Sequence, residues 1–163
     1  MIALIAGSPS SGKTTISRNL CEIAKQKYSN VYHLEIDDIR SICITDDNNL
    51  EIGSDWLNIV ECILNLLTKK YDCFIVIEGL FFEVQTIEFL NSVTAINHYF
   101  VIKSDLEICL TRNMNRLQKE EILPDSEIIR LHNLIRPDYL IVIENNLDLN
   151  QPIDKIWEII DTL

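Results

Sequence analysis

Short apolar runs alternate along this chain with longer stretches in which apolar residues recur every three or four positions. The runs cover residues 2–6, 31–36, 73–77, 99–103 and 139–143. Runs of this length are typical of buried strands, and helical periodicity between them is typical of connecting helices. The run at 73–77 is apolar throughout, as in a central strand covered on both faces. The alternation predicts an α/β domain with a mostly parallel sheet.

The helical stretches predict helices over residues 13–27, 55–70, about 84–92 and 105–118. Asp125 or Ser126 begins a further helix that stops before Pro137, and Pro152 suits the first turn of a closing helix. Polar, aperiodic residues 41–54 predict a loop. The predicted core faces are Ile16, Leu20, Ile23, Ala24 and Tyr28 in the first helix, Trp56, Val60, Ile63, Leu64 and Leu67 in the second, and Ile153, Ile156, Trp157 and Ile160 in the last.

The segment GSPSSGKT at residues 7–14 fits the pattern G-x-x-x-x-G-K-[ST] at every defined position, between the first strand and the first helix. Glycines let consecutive backbone N–H groups turn toward phosphate oxygens at the positive end of a helix. The lysine reaches the β- and γ-phosphates and the threonine hydroxyl suits Mg²⁺. The predicted nucleotide-binding residues are Gly7, Ser8, Pro9, Ser10, Ser11, Gly12, Lys13, Thr14 and Thr15.

The composition of the chain limits the size, the location and the kinds of binding partner that we expect for it. The 163 residues suffice for one domain, and no apolar run reaches the length of a membrane span. A formal charge of −11 disfavours long nucleic acid, because binding to that ligand depends on phosphate neutralisation. The five scattered cysteines, none in C-x-x-C spacing, indicate reduced thiols and a cytoplasmic location. The three dispersed histidines are interpreted as structural.

Acidic residues follow two predicted strands: Asp37 and Asp38 after the second, Glu78 after the third. Ligands of open α/β sheets bind beyond these carboxyl ends. Phosphoryl transfer to a hydroxyl needs a carboxylate that accepts the proton and one that serves Mg²⁺. Asp37 is the candidate base, and Glu78 the candidate for the metal or the acceptor. The alternative for Asp37 or Asp38 is to cap a helix that starts at Ile39.

Two arginines, Arg112 and Arg116, lie four residues apart on a predicted helix and therefore share a face. They suit either the charge that develops on a transferring phosphoryl group or a solvated surface stripe. Arg40 lies three residues after Asp37, and its charge is suited to binding an anionic group of the acceptor. The alternative is that Arg40 is an ordinary surface arginine.

With GSPSSGKTT (7–15), IDDIR (36–40) and LTRNMNR (110–116) in this order, the chain resembles the small P-loop kinases related to nucleoside monophosphate kinases. The resemblance implies a three-layer P-loop fold with a five-stranded parallel sheet, a lid at about residues 112–124 and Mg-ATP as phosphoryl donor. It also implies that Asp37 activates a hydroxyl and that Arg112 and Arg116 close over the phosphates.

Within that group the acceptor stays open. The IDDIR segment and PDSEIIRLHNLIR (124–136) are similar to phage-type 5′-hydroxyl polynucleotide kinases, which implies that Asp37 acts as base and that Arg40 holds a substrate phosphate. Asp38 is a further candidate for substrate binding. IVIEGLFF (75–82) resembles uridine and nicotinamide riboside kinases, and zeta-type toxins have similar loops. We expect transfer to a small molecule, nucleoside or nucleotide, with a 5′-end kinase as the alternative and a nucleotide-dependent switch as the alternative of another class.

Overall fold

Five parallel strands form one sheet in the order β2-β3-β1-β4-β5. The computed structural model describes residues 1–42, 55–81, 84–116, 122–134, 140–146 and 150–162. The strands are β1 (Ile2–Gly7), β2 (Asn30–Glu35), β3 (Cys73–Gly79), β4 (His98–Lys103) and β5 (Ile141–Glu144). Strand β1 pairs with β3 and β4, so the loop that follows it emerges at the centre of the sheet.

Helices cover both faces of this sheet. They are α1 (Lys13–Ala24), α2 (Ile36–Ile42), α3 (Asp55–Leu67), α4 (Val84–Val93), α5 (Leu106–Met114), α6 (Asp125–Leu134) and α7 (Asn150–Asp161). One core cluster joins alternate residues of β1 and β3 to α3 and α4, and a second joins the intervening residues to α1 and α7. The predicted three-layer α/β fold is confirmed.

Strand β1 packs in both core clusters, and this packing positions the loop that follows it. All six of its residues are buried. Leu4 packs in the cluster with Ile77 and Leu64, whereas Ile5 packs in the cluster with Leu20 and Ile156 on the opposite face. Successive side chains of a strand point to opposite faces, so both layers hold this strand. The loop at its carboxyl end is therefore attached to a buried strand that both helical layers hold.

The predicted second strand is one residue too long at its carboxyl end. Ile36 is the first residue of α2, and its side chain is buried. An apolar residue at a strand–helix junction suits either element, so the pattern does not fix the boundary. Asp37 and Asp38 lie inside the first turn of α2, where acidic residues favour the positive helix end. The alternative in which they precede a helix at Ile39 is wrong.

The predicted helix over residues 105–118 ends early, at Met114. The chain leaves it through a tight turn in which the backbone N–H of Arg116 donates to the carbonyl of Asn113, with an N···O distance of 3.2 Å. The Asn113 side chain, which is buried, also bonds the backbone of Leu123 on both its N–H and its C=O. Arg112 and Arg116 therefore do not share a helix face.

Several predictions fall on residues that the structure does not describe: most of the loop at 41–54, residues 117–121 of the expected lid, and residues 135–139 before β5. Of the other predicted core faces, Trp56, Val60 and Leu64 of α3 and Ile153 and Ile156 of α7 are buried. Among the described residues, no helix combines the length and the apolar character needed to cross a membrane.

Candidate active site

The loop between β1 and α1 contains two residues with positive φ, Ser10 at 60° and Gly12 at 93°. Alternation of right- and left-handed conformations turns successive N–H groups to one side and forms a concave anion site. Gly12 is also the residue at the amino end of α1 and has no side chain that caps the helix. The N–H groups of the first helical turn thus remain open to an anion, as sequence reasoning predicts for this loop.

Neighbouring strand ends hold this loop in place through the carbonyl oxygen of Ser11. The amide Nδ2 of Asn145 donates to that oxygen at 2.7 Å, Ser104 Oγ lies 3.1 Å from it, and Arg112 Nη1 lies 3.3 Å from it. Ser104 follows β4 and Asn145 follows β5. In a trans peptide the N–H points opposite to the C=O, so this anchoring directs the N–H of Gly12 away from Asn145.

A cleft of about 310 Å³ opens over the loop. Three cationic side chains line it: Lys13 of α1, Arg112 of α5 and Arg116 beyond α5. Its other lining residues are Ser10, Gly12, Thr14 and Thr15. Arg116 Nη2 donates to Ser10 Oγ at 3.3 Å, so both arginines contact the loop itself. The structure thus brings the predicted arginines together at the predicted phosphate site, although only Arg112 is on the helix.

Glu78 lies at the end of β3 with its side chain turned toward α1. Its Oε1 accepts a hydrogen bond of 2.5 Å from Thr14 Oγ1, and its Oε2 lies 2.8 Å from His33 Nε2. Glu78 is only 2% exposed. Burial alone raises the pKa of Glu78, but the hydrogen bonds from His33 and Thr14 outweigh it and hold the pKa below its usual value. Glu78 is therefore a charged, buried carboxylate at neutral pH.

His33 is a contributor that sequence reasoning interpreted only as structural. It lies on β2 and is paired in register with Val76, two residues before Glu78 on β3. Its second nitrogen, Nδ1, lies 3.5 Å from Glu35 Oε1. Strand alternation places His33, Glu35 and Glu78 on one face, but only once the register between β2 and β3 is known. The sequence contains no signal for that register.

The pair formed by Thr14 and Glu78 fits a magnesium ion in its chemistry. Both supply hard oxygen donors, and Mg²⁺ is commonly held by one or two protein oxygens together with substrate phosphates and water. The part of the chain that the structure describes contains no group of three or more His, Cys, Asp or Glu side chains able to hold a metal. A site that shares its ion with phosphates needs no such group.

Asp37 lies half-buried in the first turn of α2, where the backbone N–H of Leu80 donates to its Oδ1 at 3.4 Å. Burial raises the pKa of Asp37, and the positive charge of Lys13 and the Leu80 N–H offset only part of that effect. Lys13 and Asp37 are therefore close enough to interact. Gly79 lies beside this carboxylate: a Cβ there would be 3.6 Å from Oδ1, an ordinary van der Waals distance.

The two remaining predicted substrate residues lie outside the cleft lining. Asp38 is exposed. Arg40 stacks its guanidinium on the ring of Trp56, 4.6 Å from the ring centroid. Trp56 is itself buried, so this cation–π contact orients the arginine at the surface of α3. The structure therefore brings Lys13, Thr14, Asp37 and Glu78 together and leaves Asp38 and Arg40 at the periphery.

Similar folds occur in solved structures of several kinases. A sugar kinase from Janibacter sp. HTCC2649 has a TM-score of 0.68 and 16% identity, over 98% of this chain and 94% of that chain. A gluconokinase from Sinorhizobium meliloti 1021 has a TM-score of 0.65 and 15% identity, over 94% and 87%. Chaetomium thermophilum Kti12 in complex with ADP-AlF3 has a TM-score of 0.67 and 18% identity, over 97% and 98%. This chain therefore shares its overall fold with these proteins over nearly its whole length, as expected from the sequence resemblance to kinases.

Comparison of sequences gives a match to only part of the chain. No family model matches the chain. Polynucleotide 5′-hydroxyl-kinase NOL9 of Arabidopsis thaliana is 39% identical over 72 residues, which cover 39% of this chain. The matched region spans 18% of the length of that relative. The similarity is thus confined to part of each protein.

Proposed function

We propose that this chain is an ATP-dependent kinase that transfers the γ-phosphoryl group to a hydroxyl of a small molecule, nucleoside or nucleotide. The observation that carries the proposal is the convergence of Lys13, Arg112 and Arg116 on the cleft above the phosphate loop. On a chain with a formal charge of −11, three cations around open helix N–H groups favour a concentrated anionic ligand. The kinase folds that resemble this chain support a phosphotransferase.

In the proposed complex, the backbone of residues 7–12 surrounds the β-phosphate, and Lys13 binds the β- and γ-phosphates. Thr14 and Glu78 would hold Mg²⁺, which would supply positive charge to neutralise the phosphate oxygens. The short Thr14–Glu78 contact supports this pairing, because it places the two oxygens next to each other, within reach of one ion. His33 keeps the Glu78 carboxylate oriented through Oε2.

In the proposed transfer step, Asp37 is the general base. The acceptor oxygen forms a bond to the γ-phosphorus, the bond from that phosphorus to the β,γ-bridging oxygen breaks, and ADP leaves. The acceptor proton passes to the Asp37 carboxylate. A raised pKa makes this carboxylate a better proton acceptor than an ordinary aspartate. Arg112 and Arg116 stabilise the charge that spreads over the transferring group.

The acceptor side is proposed to lie between α2 and the end of β3, on the far side of Asp37 from the loop. Asp38 and Arg40 are the substrate-contacting candidates there, and the stacking of Arg40 on Trp56 supports a fixed orientation for that guanidinium. The net charge favours a small acceptor. Cys21, Cys62, Cys73 and Cys109 are free thiols, which supports the reducing cytoplasm as the proposed location.

A second candidate is a 5′-hydroxyl polynucleotide kinase, and the partial similarity to NOL9 favours it. This activity would use the same loop, base and arginines with a nucleic-acid end as the acceptor. Binding of an oligonucleotide should then weaken steeply as salt concentration rises, because phosphate contacts release counterions.

The test is a transfer screen with γ-labelled ATP over nucleosides, nucleotides, sugars, vitamins and 5′-hydroxyl oligonucleotides. Lys13→Ala is the blank, and Lys25→Ala, which removes an exposed lysine paired with Glu22, is the matched control. We expect label transfer to one class of acceptor by the natural protein and the control, and none by the blank. Equal ATP binding by the blank and the natural protein would refute the phosphate site.

A further inference from the structure

Residues that follow two strands, Ser104 and Asn145, and one residue of α5, Arg112, meet the phosphate loop at the carbonyl oxygen of Ser11. Of the three donors around it, Asn145 Nδ2 is nearest, at 2.7 Å. Ser104 Oγ, at 3.1 Å, also lies 2.7 Å from the carbonyl of Asn145. Asn145 and Ser104 are each 1% exposed, so water does not compete for these contacts.

The orientation of the Asn145 amide is determined by its surroundings. Were the amide reversed, its Oδ1 would face the Ser11 carbonyl, and two acceptors would meet without a proton between them. In the observed orientation Oδ1 is buried and has no hydrogen-bond partner among the described residues. Burying an unpaired oxygen destabilises a fold by about 1–3 kcal/mol, so stability alone does not account for an asparagine here.

The absence of a side chain at Gly12 leaves space for the Asn145 amide. A Cβ on Gly12 would lie 2.3 Å from Asn145 Nδ2, so any larger side chain would force the amide or the loop to move. Gly12, the second glycine of the loop, thus has two roles. It adopts a φ of 93°, and its lack of a side chain leaves the space that the Asn145 amide occupies. The hydrogen bond then holds the peptide between Ser11 and Gly12 with its N–H turned toward the cleft.

We propose that Asn145 is a positioning residue that presets the phosphate loop, and that Ser104 assists it. The inference rests on the proposed function, since it assumes that the loop binds a phosphate chain. Without the Asn145 bond, the peptide after Ser11 populates orientations that direct the Gly12 N–H elsewhere. Ligand affinity falls in proportion to the fraction of loops that remain competent.

The test compares Asn145→Ala and Ser104→Ala with Asn97→Ala. The Asn97 side chain also bonds to the backbone of β1, since its Oδ1 accepts from the N–H of Ile2 at 2.7 Å, but it does so at the opposite end of the sheet. Each variant is titrated calorimetrically, in the presence of Mg²⁺, with ATP, ADP and inorganic tripolyphosphate, and its thermal unfolding is recorded without ligand.

We expect Asn145→Ala to lower the affinity for all three ligands by about tenfold, Ser104→Ala to lower it less, and Asn97→Ala to leave it unchanged. A loss for ATP and ADP without a loss for tripolyphosphate would overturn the proposal, because Asn145 would then act on the nucleoside. Lower thermal stability with unchanged affinity would also overturn it. Failure of the proposed function looks different: the natural protein itself would then bind these ligands no better than Lys13→Ala.

Discussion

Replacing Gly12 by alanine tests the loop geometry directly. The substitution adds one methyl group at a residue whose φ is 93°. That methyl carbon would lie 2.3 Å from Asn145 Nδ2 and 3.8 Å from Arg112 Nη1. The first contact is far shorter than any normal contact between a carbon and a nitrogen, so the Asn145 side chain or the loop backbone has to shift.

The expected loss of stability follows from three contributions. The left-handed conformation costs an alanine about 1–2 kcal/mol. Overpacking against a buried neighbour costs about 1–3 kcal/mol. Alanine also stiffens the unfolded chain, which stabilises the fold by about 0.4–1 kcal/mol. Gly12→Ala should therefore lower the free energy of unfolding by about 2–4 kcal/mol, a large share of the 5–15 kcal/mol that is usual for a domain.

Urea unfolding followed by circular dichroism measures this change as a lower midpoint. The double variant Gly12→Ala/Asn145→Ala separates the contributions, because removing the amide relieves the overpacking and leaves the φ strain. The two effects should thus be less than additive. Gly79→Ala is a control at a glycine without positive φ, where the nearest atom, Ile36 Cβ, lies 3.2 Å away. An unchanged midpoint for Gly12→Ala, or strict additivity with Asn145→Ala, would refute the geometry.

Further predictions concern the chemistry. Asp37→Asn should reduce phosphoryl transfer about 10²-fold with nucleotide affinity retained, and an unchanged rate would remove Asp37 from the mechanism. Because burial raises the pKa of Asp37, the transfer rate of the natural protein should fall as pH decreases through a value above that of ordinary aspartate; Asp37→Asn should lack this limb in its pH–rate profile. Glu78→Gln should raise the Mg²⁺ concentration for half-maximal ATP binding about tenfold, and an unaltered Mg²⁺ titration would contradict the metal assignment. Arg116→Ala should lower kcat about 10³-fold and change KM for ATP much less, whereas an effect on KM alone would indicate ground-state binding only.

Sequence patterns predict most of this fold because its core is periodic. The alternation of apolar runs and helical stretches locates all five strands and the layers around them. The sequence pattern determines the ends of helices and strands less well where a residue fits either of two neighbouring elements. Ile36 is apolar and buried in either a strand or a helix, so the pattern alone extends β2 by one residue. Arg116 continues a helical spacing, yet the bonds of Asn113 turn the chain out of α5 before it.

Some features of the candidate site could likewise be predicted from the sequence, and others could not. The loop motif and the acidic residues at strand ends are local features, so the sequence predicts Lys13, Thr14 and Glu78 at one edge of the sheet. The contacts of His33 with Glu78 and of Asn145 with Ser11 join residues 45 and 134 positions apart. Such contacts depend on strand register and on the sheet order β2-β3-β1-β4-β5, which a single sequence does not contain.

The parallel sheet makes the two ends of the molecule unequal in their tolerance of change. At the carboxyl ends, β1 is followed by the phosphate loop, β2 by Asp37, β4 by Ser104 and β5 by Asn145, and Glu78 lies near the end of β3. An insertion at any of these points would therefore displace a group of the candidate site. At the amino ends, the turn before β3 contains Tyr71, which is 93% exposed. A fluorescent label or a surface tether belongs at that opposite end of the sheet, where it leaves the candidate site unobstructed.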